Sequence, residues 1–380
     1  MDFDALLNKT KDMTNEFVEK YCIVNNSIMN LDTIERMGYD EFSLQAKQKM
    51  PLKLYKYFPN TEIVKDGEII NYSIQALLNN TVYMQTPLEY DDVYDSELNV
   101  DWYEYEKLRL KYYCECCGVD VFSFDTANDI GNRLVMFLWE HYNKCMSFYD
   151  AFQTEKMSEM QRKSIELFVY RLLNEVNKDG NLSRALYDVI VAEYSYCMER
   201  LKTVFRATCF TTVPNSQLMW SSYADCHRGF CVEYTIDCSC KKLRDLYLNL
   251  FPMIYCKIRT DVTEKIVNFS DKEISLDTLW IIYCTGALRK SIDWVYQNEW
   301  RLLMVMDSRV EDHNVEFFPI TKVFLGNRMP ARKRKEIIEI CNSKSIPYVG
   351  VQRSRKYFEM QECGLKCEDC PKYLSDLKRK

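Results

Sequence analysis

Residues 101–202 constrain the fold most, because this block has helical spacing throughout and separates two halves of the chain that are rich in strand-forming segments. Within it, the apolar residues of 165–176 recur at the spacing of one helix face. Gly180 separates two of the helices, and Ser183 fits the N-cap of the second. Glycine and proline number only 10 and 9 in 380 residues, which favours long helices and compact strands over a loop-rich scaffold.

The segments on either side of this block predict a β-sheet. In 230–236 a large apolar residue occupies every second position, which is typical of a half-buried strand. Strands and helices follow in no strict βαβ alternation, so we predict an α+β protein with a mixed β-sheet core, a large helical insertion and a Cys-rich C-terminal tail. The predicted parts are N-terminal helices at 1–50, the α+β core at 51–100 and 203–352, the helical insertion at 101–202 and the tail at 353–380.

Charge and hydropathy exclude several classes of protein. With 50 Lys and Arg against 56 Asp and Glu, the formal charge of −6 argues against a protein that coats nucleic acid non-specifically. The longest apolar-rich run, 279–288, is about half of a bilayer span, and the N-terminus lacks the pattern of a signal peptide. We therefore expect a cytoplasmic protein without a membrane segment. No Walker loop, dinucleotide-binding glycine motif or zinc-protease helix occurs in the sequence.

Four short segments concentrate polar residues beside bulky apolar ones. They are Tyr55-Lys56-Tyr57, the acidic stretch 87–97, the stretch MWSSYADCHRG at 219–229 and the stretch WVYQNEWR at 294–301. In this order they resemble the bacterial family known as domain of unknown function 2971 (DUF2971). The family pattern runs from Y-K-Y through P-x-x-F-N-D-P-F-E and M-W-x-x-Y-A-x-x-H-x-G-x-C-[IV]-E-[FY] to W-x-Y-E-x-E-[WY]-R.

The third match, at 219–234, is nearly complete, and the others are looser. Asp91 stands where the family has Asn, and Gln297 replaces the first Glu of the last motif, whereas Glu299 and Arg301 remain. The resemblance covers roughly 52–98 and 204–352. It implies the fold, and it suggests an effector in bacterial conflict or phage defence, but it names no reaction.

One hypothesis for the reaction comes from Glu299, which heads a predicted strand. ADP-ribosyltransferases place a glutamate there, often as E-x-E or Q-x-E, and Gln297-Asn298-Glu299 is similar to that arrangement. Such a carboxylate steadies the positive charge that forms on the ribose when nicotinamide leaves NAD. The predicted catalytic residues are Glu299, Tyr223, His227 and Arg301, and the predicted cofactor-binding residues for NAD are Lys56, Tyr57, Trp220, Ser222 and Arg228. The structural alternative is an ion pair between Glu299 and Arg301 at the start of the strand.

Two further functions remain open at this point. Asp91, Asp92 and Asp95 suit a divalent metal, which would give a nuclease or phosphodiesterase with His227 as proton carrier. The structural alternative is a solvated acidic turn. The third function is a non-catalytic sensor or interaction protein whose helical insertion binds a protein partner.

The C-terminal tail contributes a separate metal hypothesis. Among 17 cysteines, Cys363, Cys367 and Cys370 follow the spacing C-x3-C-x2-C. With a fourth thiolate such as Cys114 or Cys117, they would hold a structural Zn²⁺ or an iron–sulfur cluster. The alternative is a tail of free thiols flanked by lysines.

Basic residues form a possible contact for a nucleotide or nucleic acid. They are the run 332–335 together with Arg353, Arg355 and Lys356. A solvated helix face is the alternative for the same residues.

Overall fold

The computed structural model describes residues 19–121, 126–143, 167–168, 170–172, 174–175, 181–203, 205–267, 280, 282–305, 312–364 and 366–367. The chain divides into two compact units. The first, which we call the sheet unit, consists of 1–96, 204–258 and 287–380. The second, the helical unit, consists of 97–203 and 259–286. Residues 259–286 therefore join the helical unit, although the sequence places them in the predicted core.

The strands belong to the sheet unit. Numbered along the chain, they are β1 (Tyr21–Val24), β2 (Ser27–Asn30), β3 (Lys53–Phe58), β4 (Ile63–Lys65), β5 (Glu68–Ile70), β6 (Thr81–Tyr83), β7 (Arg206–Thr211), β8 (Phe230–Thr235), β9 (Leu250–Pro252), β10 (Ile254–Cys256), β11 (Arg289–Ser291), β12 (Glu299–Met304), β13 (Asn314–Glu316), β14 (Ile320–Leu325), β15 (Tyr348–Arg353) and β16 (Met360–Glu362).

An eight-stranded sheet forms the centre of this unit, in the order β16-β15-β14-β8-β3-β7-β12-β9. Strands β14 and β15 are parallel, whereas β14 and β8 are antiparallel, so the sheet is mixed. A smaller sheet has the order β11-β10-β1-β2, and the pairs β6–β13 and β4–β5 complete the strand pairing. The mixed sheets and the helices confirm the predicted α+β class.

Strand β8 is buried on both faces. Phe230, Val232 and Tyr234 pack in the larger core on one face. Cys231 packs on the other face in a second cluster that includes Trp220. The alternation in the sequence identifies the strand correctly, but the prediction that one face is open to solvent is wrong, because Cys231 and Glu233 are also buried.

The N-terminal region differs from its prediction. Strands β1 and β2 form a hairpin where the sequence predicts helix, and its turn consists of Asn25 and Asn26 with φ of 47° and 60°. Asparagine tolerates this left-handed conformation, which two-residue hairpins require. Helices follow at Leu31–Arg36 and Tyr39–Gln48, so helix is right for that part of 1–50 and wrong for 21–30. Residues 1–18 lie outside the described residues.

The sheet unit also contains several helices. The remaining α-helices are Tyr72–Asn79, Gln217–Tyr223, Arg244–Leu248 and Ala331–Ser343, and the 3-10 helices are Pro87–Glu89, Lys241–Leu243 and Ile292–Gln297. We call Gln217–Tyr223 the signature helix, because it begins the segment with the nearly complete family match. Ser216 caps it by accepting a hydrogen bond from the backbone N–H of Met219.

The helical unit contains the helices Trp102–Cys117, Ala127–Asn143, Leu182–Thr203 and Thr263–Ile266. A π-helical turn, Tyr283–Ala287, spans the point along the chain where the unit ends. Inside the unit, the Arg109 guanidinium donates to the Glu193 carboxylate at 3.1 Å, and Tyr113 donates to the same carboxylate. None of the described helices is both long enough and apolar enough to span a membrane.

Candidate active site

A cleft of about 610 Å³ opens in the sheet unit. Small-molecule sites occupy roughly 300–1,000 Å³, so the volume suits a ligand of that size. Five chain segments supply the lining, namely 55–57, 85–95, 209–211, 219–223 and 290–299. These segments include parts of all four polar stretches that the sequence singles out.

The central sheet separates at this cleft. Strands β3 and β7 are neighbours, yet they pair at one position only, Tyr55 with Thr211. Thr211 in turn pairs with Glu299 on β12, so three adjacent strands meet at one level of the sheet. Beyond that level, the Lys56 ammonium donates to the Thr208 hydroxyl at 2.9 Å and to the Cys209 carbonyl oxygen at 3.2 Å. A lysine side chain therefore satisfies backbone that strand pairing leaves open.

Four buried charged residues, Asp95, Lys290, Glu299 and Arg301, form what we call the charge quartet. Arg301 is 0% exposed, and its guanidinium donates to both Asp95 oxygens, at 2.7 and 2.6 Å, and through Nε to Glu299 at 2.6 Å. Lys290 lies 3.1 Å from Glu299 and 3.3 Å from Asp95. Two anions and two cations leave the quartet neutral, which is the arrangement that makes buried charge tolerable.

The quartet keeps its carboxylates ionised. Burial alone would raise the pKa of Glu299, but Arg301 and then Lys290 outweigh burial and hold that pKa below its usual range. Burial opposes ionisation of Asp95 in the same way, yet Arg301 and Lys290 lower its pKa to about 2. Burial, followed by the Glu299 charge, raises the pKa of Cys209 to about 12, so this thiol is neutral beside them. The predicted structural ion pair of Glu299 with Arg301 is thus present, and Glu299 also lines the cleft.

Lys56 is the cation of the cleft that has no carboxylate partner among the described residues. Two of its three ammonium hydrogens are used by Thr208 and Cys209, which leaves one donor for a ligand. Burial lowers its pKa, although the Cys209 thiol and the Glu299 carboxylate act in the opposite direction. The ammonium also lies 5.6 Å from the centre of the Phe210 ring. An anionic ligand would supply a negatively charged partner for the Lys56 ammonium.

Aromatic side chains form the apolar part of the cleft lining. Tyr223, which is 38% exposed, accepts a hydrogen bond from the Gln297 amide at 2.6 Å. Burial raises the pKa of Tyr223 to about 12, so its hydroxyl is protonated at neutral pH. Trp294 also lines the cleft, and the buried hydroxyl of Tyr90 has no hydrogen-bond partner among the described residues. The cleft therefore offers flat apolar faces beside fixed charges.

The comparisons with known proteins give a match that includes one part of this site. The family described as protein of unknown function (DUF2971) matches residues 219–302. Over this segment the chain is DUF2971-like. The match confirms the resemblance inferred from the motifs over this segment. No curated protein and no solved structure matches the chain.

The DUF2971 segment contributes about a third of the cleft, with seven of the 20 lining residues. Ser222, Tyr223, Lys290 and Glu299 lie within 219–302 and line it. Lys56, Tyr57 and the acidic stretch lie outside the matched segment and line it as well. The Tyr57 hydroxyl is committed to the fold, because it donates to the Val213 carbonyl at 2.8 Å.

The structure does not bring Trp220, His227 or Arg228 to the lining of the cleft. Trp220 is a core residue whose indole N–H donates to the Pro214 carbonyl at 2.9 Å. The rings of His227 and Trp220 are nearly parallel, at 8°, with centres 6.5 Å apart. Burial and, second, the Arg328 charge lower the pKa of His227. Arg228 pairs with Asp225 at 3.3 Å.

The DUF2971 motif instead builds a tight backbone turn. Asp225, Cys226 and His227 have φ of 46°, 51° and 69°, three left-handed residues in succession. Gly229 follows, and a Cβ there would overlap the Phe58 carbonyl oxygen. A helix exit with this geometry lets the chain return directly into β8. His227 and Arg228, which look functional in the sequence, form part of this turn. Their spacing along the sequence does not distinguish a backbone turn from a functional site.

The acidic stretch is only partly available to a metal. Asp91 and Asp92 line the cleft, and one Asp92 oxygen accepts a hydrogen bond from the Tyr94 N–H at 3.0 Å. Asp95 is committed to Arg301 and Lys290. No group of three His, Cys, Asp or Glu side chains in the described part of the chain is placed to hold a metal ion.

The cysteine tail is seen in part. Cys367 is buried in the larger core, and Cys363 and Cys367 both approach Gly350. Cys370 lies outside the described residues, so the predicted zinc or iron–sulfur site stays a prediction. Cys114, a predicted fourth ligand, is buried in the helical unit, where burial raises the pKa of its thiol to about 12.

Lys290 is the main residue of the cleft that the sequence does not reveal. It follows an apolar run and is the lysine closest to the 294–301 motif along the chain, which is the one signal available. Its partner Asp95 lies nearly two hundred positions away. Only the fold shows that the two charges belong to one site.

Proposed function

We propose that this cleft binds NAD and that the protein is a cytoplasmic effector with ADP-ribosyltransferase-like chemistry. The observation that carries the proposal is the presence of Lys56, Ser222, Tyr223 and Glu299 in the lining of one cleft. These residues come from three distant parts of the sequence, and the hypothesis assigns Lys56 and Ser222 to NAD binding and Tyr223 and Glu299 to catalysis. The resemblance to DUF2971 adds the expected setting, bacterial conflict or phage defence.

Lys56 would contact the diphosphate of NAD. Its ammonium has a donor to spare and no carboxylate partner among the described residues. A hydrogen bond between an ammonium and a phosphate oxygen is charge-assisted and therefore among the stronger contacts available. The partial burial of Lys56 reduces competition from water and increases the strength of this contact.

Glu299 would act at the ribose. As the bond between the ribose C1′ and the nicotinamide nitrogen breaks, nicotinamide leaves as a neutral molecule and the ribose becomes an oxocarbenium ion. A carboxylate that is already ionised and already fixed by Arg301 and Lys290 stabilises that charge without reorganising. Its two oxygens offer about four acceptor positions, so a ribose hydroxyl can still bind beside the protein donors. A nucleophile of the acceptor molecule, or water, then attacks the ribose C1′ and loses a proton.

Tyr223 and Trp294 would hold the planar rings of NAD. Both line the cleft, and Gln297 fixes the Tyr223 ring through its hydroxyl. Aromatic stacking with an offset geometry contributes about 0.5–1.5 kcal/mol beyond the area that it buries.

The experiment measures NAD binding by calorimetry and nicotinamide release by chromatography. We expect Lys56→Met to weaken binding by roughly 10- to 150-fold, the equivalent of a lost charged hydrogen bond. We expect Glu299→Gln to reduce nicotinamide release by about 10²–10³ while NAD still binds. Lys335→Met and Glu316→Gln are the matched controls, because both residues are on the surface and away from the cleft lining. Absence of NAD binding by the unmodified protein, with folding verified by circular dichroism, contradicts the proposal.

A metal-dependent nuclease is the second candidate, favoured by one observation. Asp91 and Asp92 both line the cleft, and Mg²⁺ is often held by one or two carboxylates together with substrate phosphates. Nuclease activity that EDTA abolishes and that Asp92→Asn removes would establish this function. If alanine at Lys56, Asp92 and Glu299 leaves activity in cells intact, the non-catalytic sensor is the remaining proposal.

A further inference from the structure

The loop at 354–359, between β15 and β16, displays two aromatic rings to solvent. Phe358 is 92% exposed, the highest value among the exposed large apolar side chains of the described residues, and Tyr357 is 58% exposed. Neither ring contributes to a core cluster in the sheet unit. An isolated exposed apolar residue is ordinary, but two adjacent rings at the tip of one hairpin need another explanation.

Three cations accompany these rings. Arg353, Arg355 and Lys356 are exposed, and none of them has an ion pair with another described residue. Lys356 lies over the Tyr357 ring, 5.0 Å from its centre. We call these three cations and two rings the tip cluster.

The basic run at 332–335 behaves differently. Lys333 pairs with Glu62, Lys335 pairs with Glu339, and Arg334 donates to the Gly326 carbonyl at 2.7 Å. Most of the run is therefore used within the fold or along its own helix. The positive face that the sequence suggests is concentrated in the tip cluster.

The loop that carries the tip cluster is held in one conformation. The Ser354 N–H donates to the Glu359 carbonyl at 3.0 Å, and the Ser354 hydroxyl accepts from the N–H groups of Lys356 and Tyr357. At the base, Asn215 donates through its side chain to Glu359 at 3.0 Å. A loop anchored in this way loses little conformational freedom when it binds a partner.

We propose that the tip cluster is a contact surface for single-stranded nucleic acid. The rings would stack on unpaired bases, and Arg353, Arg355 and Lys356 would neutralise neighbouring phosphates. Single strands are bound in this way because every base has a flat face and every linkage carries a negative charge. A molecule with a net charge of −6 repels a polyanion elsewhere, so binding through this cluster is local and sensitive to salt.

An anionic membrane is the competing partner for a basic and aromatic loop. Membrane-binding segments bury a larger apolar face, rich in leucine, phenylalanine and tryptophan. Here the apolar surface consists of one phenylalanine and one tyrosine, and 353–359 contains no aliphatic residue. The balance of three cations to two rings favours phosphates and bases.

The test uses fluorescence anisotropy with labelled oligo(dT) and oligo(U) of about 12 nucleotides, at several salt concentrations and without NAD. We expect the unmodified protein to bind, and Tyr357→Ser with Phe358→Ser to weaken binding by roughly 10-fold or more. Replacing the three cations by glutamine should reduce the slope of log K against log salt by about 2. Val64→Ser with Ile69→Ser is the matched control, because this pair is also exposed on a hairpin of the sheet unit.

Equal binding by the unmodified protein and the ring variant overturns the proposal. So does binding to phosphatidylserine vesicles without binding to either oligonucleotide, or a preference for duplex over single strands. Because NAD is absent from every measurement, failure here is separate from failure of the proposed NAD chemistry.

Discussion

Replacing Arg301 with methionine tests whether the charge quartet is a single energetic unit. Arg301 donates five hydrogen bonds, two to Asp95 and one each to Glu299, Ser96 and the Ala287 carbonyl. Methionine fills much of the same volume but removes the cation. Asp95 and Glu299 then share Lys290 alone, which leaves one uncompensated negative charge inside the sheet unit.

The expected cost follows from that uncompensated charge. Removing one partner of a buried ion pair destabilises proteins by about 3–5 kcal/mol, and we expect Arg301→Met to fall in this range. Adding Asp95→Asn restores neutrality, because Glu299 and Lys290 remain as one pair. We therefore expect the double variant to be more stable than the sum of the two single variants predicts, by about 0.5–3 kcal/mol.

Urea unfolding followed by tryptophan fluorescence measures these differences. The free energy is taken from the transition that Arg301→Met shifts, since a chain with two compact units need not unfold in one step. Arg244→Met is the control, because Arg244 is exposed and should change stability by no more than about 0.5 kcal/mol. A cost below about 1 kcal/mol for Arg301→Met, or strict additivity with Asp95→Asn, would refute the reasoning.

Two further perturbations test other parts of the sheet unit. Gly229→Ala should lower the free energy of unfolding in urea by about 3 kcal/mol or more, because the new Cβ overlaps the Phe58 carbonyl oxygen. Gly38→Ala is the control, since a Cβ there meets open space and the change should be nearly neutral. Equal effects of the two changes would contradict the close approach at Gly229. Burial lowers the pKa of Lys47 to about 7, so the folded state disfavours its charge and stability should rise as pH increases from about 7 to about 10.5. Lys47→Met should reduce that rise in unfolding midpoint, and a rise that persists unchanged in the variant would assign it to other groups.

The predictable part of the fold is the part whose signal is local. Alternation identifies β8, and helical spacing identifies Leu182–Thr203 within the predicted insertion. The β1–β2 hairpin is missed because its two-residue turn uses Asn25 and Asn26 in place of glycine. Burial of the second face of β8 is missed because it depends on Trp220 and other residues that pack there only in the folded chain.

The residues of the candidate site differ in the same way in how far the sequence predicts them. Glu299 and Tyr223 are found from the sequence because they stand in recognisable motifs, and both line the cleft. His227 stands in the most recognisable motif of all, yet it serves the turn. Lys290 is missed because its role depends on Asp95, which is distant in the chain. Motif spacing in the sequence identifies candidate residues. Only the folded structure shows whether such a residue lines the cleft or shapes a backbone turn.

The left-handed turn at 225–227 limits what the DUF2971 match can say about function. The segment that matches DUF2971, 219–302, contains this turn, while Lys56 and Asp95 lie outside it. A chain that shares this segment therefore shares the sequence of the turn and of about a third of the cleft lining, but not necessarily the Lys56 cation on β3. The reaction of a protein that shares this segment should be assigned from the residues that occupy the positions of Lys56 and Asp95, after its own strands have been superimposed on β3 and β12.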